Sequence, residues 1–124
     1  MKEFINAMGK AWKEERSESQ LTLGELVDQL REAFPDSLVA NIVFPHSYRG
    51  YYCDLAFELR GGSRTAKELL DDCLEALGSE FTGYKGGEYL MDRSTPLWVS
   101  NYGSTGLKLL ALKSDGTIET AEDD

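Results

Sequence analysis

Residues 53–78 read Cys53-Asp54-Leu55-Ala56-Phe57-Glu58-Leu59-Arg60-Gly61-Gly62-Ser63-Arg64-Thr65-Ala66-Lys67-Glu68-Leu69-Leu70-Asp71-Asp72-Cys73-Leu74-Glu75-Ala76-Leu77-Gly78, and the apolar period changes half-way along. Cys53, Leu55, Phe57 and Leu59 alternate with Asp54, Ala56 and Glu58, the period of a half-buried strand. Its wet face then carries Asp54 and Glu58, and Arg60-Gly61-Gly62-Ser63 ends it. Thr65-Ala66-Lys67-Glu68 is a capping box, in which hydroxyl and carboxylate satisfy orphan amides reciprocally. Leu69, Leu70, Cys73, Leu74 and Leu77 follow at helical spacing, with Gly78 placed as a C-cap. Strand and helix therefore belong to one unit.

The same device recurs upstream. Thr22-Leu23-Gly24-Glu25 opens a second capped helix with Leu23, Leu26, Val27 and Leu30 on one side, stopped at Pro35. The acidic outer faces of the two helices (Asp28, Glu32; Asp71, Asp72, Glu75) read as solvated surface. Val39–Phe44, Leu97–Val99 and Leu107–Leu112 are strand-like, with Trp98 read as core. Tyr102-Gly103-Ser104-Thr105-Gly106 turns the chain between the last two, and Ser114-Asp115-Gly116-Thr117 carries an Asp-Gly hairpin signal. The order α-α-β-β-α-β-β-β predicts an α+β single domain: a mainly antiparallel sheet with two or three helices packed on one face.

The ends stand apart. Residues 1–20 form a predicted helical arm, with Phe4, Met8 and Trp12 recurring every fourth residue and Lys13–Gln20 as an exposed connection. A helix this short is marginal alone, so its stripe must dock on its own domain or on another subunit. Residues 21–113 are the core domain and 114–124 an acidic C-terminal tail, expected to fray from Glu119 onward.

The chain has 124 residues, enough for one core, and carries 22 acidic against 13 basic residues for a formal charge of −9. Such a field repels duplex DNA. Cys53 and Cys73 are too few for a disulfide framework and lack metal spacing, so they read as buried or half-buried thiols in a reducing compartment. With no apolar run of membrane length and no secretory signal pattern at the N-terminus, the expected location is cytoplasmic.

The catalytic inventory is thin. There is one histidine, His46, and no nucleophile elbow, Walker loop or zinc motif, so no metal, cofactor or enzymatic activity is expected. What stands out is the placing of the aromatics: all six tyrosines fall between residues 48 and 102, interleaved with glycines and with Arg49, Lys85 and Arg93. Two segments concentrate the feature, Pro45–Tyr52 and Phe81–Tyr89. Tyrosine offers a stacking face and a hydroxyl, while arginine offers a bidentate fork for phosphate. That chemistry suits a nucleotide-like small molecule. Tyr48, Tyr51, Tyr84 and Tyr89 would line the pocket, Arg49 and Lys85 would hold phosphate, and His46, Ser47 and Asn101 would add hydrogen bonds. The plainer alternative has tyrosines paving the sheet, glycines making turns, Arg49 bridging to Asp54 or Glu88, and His46 bonding a loop backbone.

The strings His46–Phe57, Phe81–Tyr89 and Thr95-Pro96-Leu97-Trp98, with the helix opening Leu21–Leu26, resemble those of a family of small proteins of tailed phages and prophages. The likeness spans roughly residues 21–110 and leaves the arm and the tail outside. The family carries no assigned activity of its own. By analogy with small phage counter-defence proteins it implies an oligomeric "sponge" in the bacterial host cytosol, which sequesters a nucleotide second messenger of immunity without cleaving it. Phe4, Met8 and Trp12 would then join the subunits. The rival expectation is an acidic inhibitor or nucleic-acid mimic that blocks a host defence factor, supported by the charge. A lesser alternative is a metal-dependent nucleotide hydrolase using Asp54 or Glu88.

Overall fold

A computed structural model describes residues 16 and 19–122. The first helix, α1 (Leu23–Glu32), starts where Thr22 Oγ1 accepts from Glu25 N–H at 3.2 Å and Glu25 Oε1 accepts from Thr22 N–H at 3.0 Å. Its stripe Leu23, Leu26, Val27 and Leu30 is buried. Helix α2 (Ala66–Ala76) is capped in the same way by Thr65 and Glu68, and Gly78 follows its end with φ +82°. That positive φ explains the glycine, because a Cβ there would crowd the backbone.

The strands are β1 (Leu38–Ser47), β2 (Leu55–Thr65), β3 (Glu80–Thr82), β4 (Glu88–Leu90), β5 (Leu97–Val99), β6 (Leu107–Leu112) and β7 (Ile118–Ala121). Five of them form one sheet in the order β1-β2-β5-β6-β7, while β3 and β4 pair separately as a hairpin. All neighbours run antiparallel except β2 and β5, which are parallel. A parallel pair requires a crossover, and the chain makes it through α2 and the β3–β4 hairpin. The protein is thus an α+β single domain.

Alternation along β2 and β5 gives the sheet two buried faces. Leu55, Phe57 and Leu97 belong to the core shared with α1 and α2, together with Val39, Ile42, Leu109 and Leu112. Ala56 and Trp98, paired in register, point the other way and form a second buried cluster with Tyr48.

Several expectations change here. Asp54 is not on a wet face but fully buried, because the second face is covered as well. Alternation fails beyond Phe57, so that Leu59 is exposed, and β2 continues through Arg60–Ser63 to pair Ser63 with Ala40. Strand β1 extends past Phe44 through Pro45, His46 and Ser47, with irregularities at Ala40/Ile42 and Val43/His46 that break its period. Phe81–Tyr89 is a hairpin rather than an open loop. The acidic end does not fray from Glu119, since Ile118–Ala121 pairs with β6. Cys53 is exposed, and only Cys73 is buried. The connection read as exposed contains Gln20, which is buried and donates from Nε2 to the Leu97 carbonyl at 2.7 Å. Phe4, Met8 and Trp12 lie outside the described residues. No helix among the described residues is long and apolar enough to cross a membrane.

Candidate functional site

The end of β1, the turn into β2, the β3–β4 hairpin and the β5–β6 turn bring the tyrosines into two groups. The inner group is built around Trp98. The Tyr48 ring stacks on it at 4.2 Å between centroids and 9° between planes, and the Tyr51 ring leans against it at 5.7 Å. The Tyr48 hydroxyl accepts from Gly106 N–H at 2.9 Å, tying this turn to the β5–β6 turn. Gly106 admits no side chain, because a Cβ would lie 2.1 Å from the Val99 carbonyl oxygen.

Beside Trp98 sits an ion pair that nothing local in the sequence announces. Asp54 accepts from Arg16 Nε at 2.6 Å, from Arg16 Nη2 at 2.8 Å and from Trp98 Nε1 at 2.8 Å. The Arg16 guanidinium also covers the outer face of Tyr51, 4.1 Å from the ring centroid. Burial alone would lower the Arg16 pKa, but the hydrogen bonds and charge of Asp54 outweigh it and hold the group above its ordinary value. Within the inner group Tyr48 is 2% exposed, whereas Tyr51 keeps 38%. Both oxygens of Asp54 accept hydrogen bonds, from Arg16 and from Trp98.

The outer group is exposed except for His46, which is buried. Arg49 donates from Nη1 to the Gly103 carbonyl at 2.7 Å, and its guanidinium lies 4.8 Å from the centroid of Tyr84. Tyr84 meets Tyr102 edge-on at 5.9 Å, and Tyr102 in turn meets His46 edge-on at 5.6 Å. Four residues from β1, its following turn, the hairpin and the β5–β6 turn thus form one continuous row. A glycine is needed at 103: φ is +83°, and a Cβ there would sit 2.8 Å from the Tyr84 ring. Lys85 is exposed at the tip of the same hairpin as Tyr84.

The remaining sequence-predicted residues serve other contacts. His46 donates from Nδ1–H to the Phe44 carbonyl at 2.7 Å, the backbone bond that the plainer reading foresaw. Ser47 is buried and donates to the Tyr52 carbonyl at 2.6 Å. Tyr89 packs against Tyr52 at 5.5 Å, beneath the hairpin. Asn101 is exposed, and its carbonyl accepts from Ser104 Oγ at 2.8 Å. Arg49 bridges to neither Asp54 nor Glu88; Asp54 takes Arg16 instead, and Glu88 accepts from Thr82 Oγ1 at 3.1 Å.

A cleft of ≈ 540 Å³ opens alongside Tyr51, Gly50, Gly106 and Glu122. Its charged wall is a carboxylate, and neither Arg49, Tyr84 nor Lys85 lines it. The two tyrosine segments therefore meet in a surface row, through Arg49 over Tyr84. Sequence reading missed Arg16, which lies thirty-eight residues from Asp54, and gave Tyr102 only a turn.

In comparisons with protein-family models, curated proteins and solved structures, none matches this chain.

Proposed function

We propose that the protein binds a small, flat, anionic ligand of nucleotide type at the Arg49–Tyr84–Tyr102 row and sequesters it without cleaving it. One observation carries this reading: Arg49 from one segment lies over Tyr84 from another, anchored on Gly103 from a third. A guanidinium has five N–H donors, and the hydrogen bond to Gly103 uses one of them. A base would stack on the exposed rings of Tyr84 and Tyr102, with its phosphate on Arg49 and Lys85.

Stacking contributes roughly 1–3 kcal/mol per base and a charge-assisted hydrogen bond roughly 1.5–3 kcal/mol, so the upper end of both, two of each, is what micromolar affinity after association costs requires. The formal charge of −9 does not forbid this. At physiological ionic strength the Debye length is about 8 Å, so distant carboxylates are screened. In the phage setting that the resemblance implies, capture without cleavage withdraws an immune signal from its receptor.

Thermal-shift and calorimetric titration with cyclic dinucleotides, cyclic trinucleotides and cyclic ADP-ribose isomers tests the reading. Saturable binding that Arg49→Ala and Tyr84→Ala each weaken, with ligand recovered intact after denaturation, supports it. Silence from every ligand, or binding indifferent to both substitutions, overturns it. The acidic-inhibitor reading rests on net charge and predicts silence from the nucleotides, together with salt-sensitive capture of a basic host factor that Arg49→Ala leaves unchanged.

A further inference from the structure

A separate groove of ≈ 590 Å³ lies where α2, β3 and the end of β1 meet, away from the tyrosine row. Phe44, Pro45, Ala76 and Phe81 give it an apolar lining. Asp72, Glu75 and Glu80 add three carboxylates, and no lysine or arginine is among the residues that line it. Asp72 is already paired with Arg64 at 2.8 Å, whereas Glu75 and Glu80 have no ion-pair partner among the described residues.

Phe44 is the unusual member. Its φ is +52°, the only positive value for a residue other than glycine among those described. That region is disfavoured for a bulky side chain because Cβ crowds the following carbonyl. The conformation is fixed by the irregular pairing between Val43 and His46 and by the hydrogen bond from His46 Nδ1 to the Phe44 carbonyl. The effect is to turn the ring outward, 61% exposed, instead of burying it as an aromatic residue in a strand usually is. The chain's own Arg60 already lies over this ring, its guanidinium carbon 5.3 Å from the centroid, so the face attracts cations.

We infer that this groove is the docking site for a cationic peptide segment of a partner protein, one apolar or aromatic side chain seated on Phe44 and Phe81 and flanking Lys or Arg side chains on Glu75 and Glu80. Charge complementarity selects that occupant. A nucleic acid or an acidic peptide would meet Glu75 and Glu80, which have no ion-pair partner among the described residues. A second copy of this chain carries the same charge of −9 and would be repelled. A bare metal ion is not favoured either, because no group of three or more His, Cys, Asp or Glu among the described residues is arranged to hold one.

The test uses the full chain and two fluorescein-labelled peptides, one of alternating Lys/Arg and Leu/Trp, the other with Glu at every cationic position. Fluorescence anisotropy measures affinity, and ¹H–¹⁵N amide shifts locate the contact. Saturable binding of the cationic peptide only, with shifts confined to Val43–Pro45, Ala76 and Phe81, is the expected result. The double substitution Glu75→Lys/Glu80→Lys should weaken binding at least about tenfold, because each reversal replaces an attraction by a repulsion. Phe44→Asn should keep or raise the thermal midpoint, since asparagine tolerates this backbone, and should still lose binding. Equal binding of both peptides, indifference to the charge reversals, displacement by magnesium ions alone, or shifts spread over the whole acidic surface would overturn the proposal.

Discussion

Asp54 and Arg16 form a two-pronged ion pair on the sheet face turned away from the helices, with N–O distances of 2.6 and 2.8 Å. The Asp54 side chain is wholly buried, while the Arg16 side chain keeps 14% of its surface. This asymmetry gives the pair a direction. Arg16→Ala strands a negative charge inside the protein, held only by the indole of Trp98 and its other neighbours. Asp54→Ala lets the longer cation swing out to water, although it leaves the Trp98 N–H without that acceptor. Leaving the more buried member of an ion pair uncompensated costs about 3–5 kcal/mol, so Arg16→Ala should fall in that range and Asp54→Ala below it. The double substitution should cost less than the two singles together. Urea unfolding of the three variants measures the order, and an additive double would show that the two side chains are not coupled.

The capping boxes give a second, separable expectation. Thr22→Ala removes the acceptor of the Glu25 N–H and should cost about 1 kcal/mol. At the other box, hydrogen bonds from the Thr65 backbone N–H and then from its hydroxyl hold the Glu68 carboxyl below its usual range. A depressed carboxyl contributes stability that is present above its unfolded pKa and lost as pH falls through its folded value. Thr65→Ala keeps the backbone bond and should flatten the acid limb of a stability–pH profile in part, whereas Glu68→Gln should flatten it fully. An acid limb unchanged by Glu68→Gln would remove Glu68 from the account.

These same boxes were legible in the sequence because capping is local: four consecutive residues contain the donor, the acceptor and their spacing. The apolar stripes of α1 and α2 and the Asp-Gly turn were readable for the same reason. What escaped was set by distant contacts or by short elements. Asp54 looked solvated because alternation identifies two faces but not whether the second is covered, and Arg16, Tyr48 and Trp98 cover it from three separate stretches. Strand β1 lost its period at two irregularities, so Pro45–Ser47 read as loop. Strands β3 and β4 have three residues each, too few to display a period at all. Strand β7 has four residues, too few to stand out beside the acidic run Glu122-Asp123-Asp124 that follows it. For the candidate site, sequence reading found the residue types and both segments but could not rank the rings. Only the fold shows that Tyr48 belongs to Trp98 and Tyr84 to Arg49.

The two cysteines should behave oppositely toward thiol reagents. Burial, with a smaller contribution from the neighbouring Asp72 charge, pushes the Cys73 thiol up to about 12, whereas Cys53 is exposed. Attack requires the thiolate, so at mildly alkaline pH the native protein should react at Cys53 alone and the unfolded protein at both. A thiol pKa raised by folding also makes stability fall with alkalinity. The unfolded chain begins to release this proton near pH 8.5 and the folded chain only near 12, so stability should decline between those limits at up to roughly 1.4 kcal/mol per pH unit. Mass spectrometry after brief alkylation counts the thiols, and two modified cysteines in the native state would contradict the buried position of Cys73.

Gly103 links the stability of the fold to the proposed capture. Its φ of +83° favours glycine, and the missing Cβ makes room for the Tyr84 ring at a point where a methyl would sit 2.8 Å away. The carbonyl of the same residue holds the Arg49 guanidinium. Gly103→Ala should therefore cost about 1–2 kcal/mol through the backbone alone, and should also push Tyr84 from beneath Arg49. The surrounding core contributes nothing to this loss, because Tyr84, Arg49 and Tyr102 are all exposed. If the row is where a nucleotide-like ligand binds, Gly103→Ala should weaken capture about as much as Tyr84→Ala does while keeping the amide spectrum of the sheet. A variant that loses stability yet binds as well as the parent would separate the two and place any ligand elsewhere on the surface.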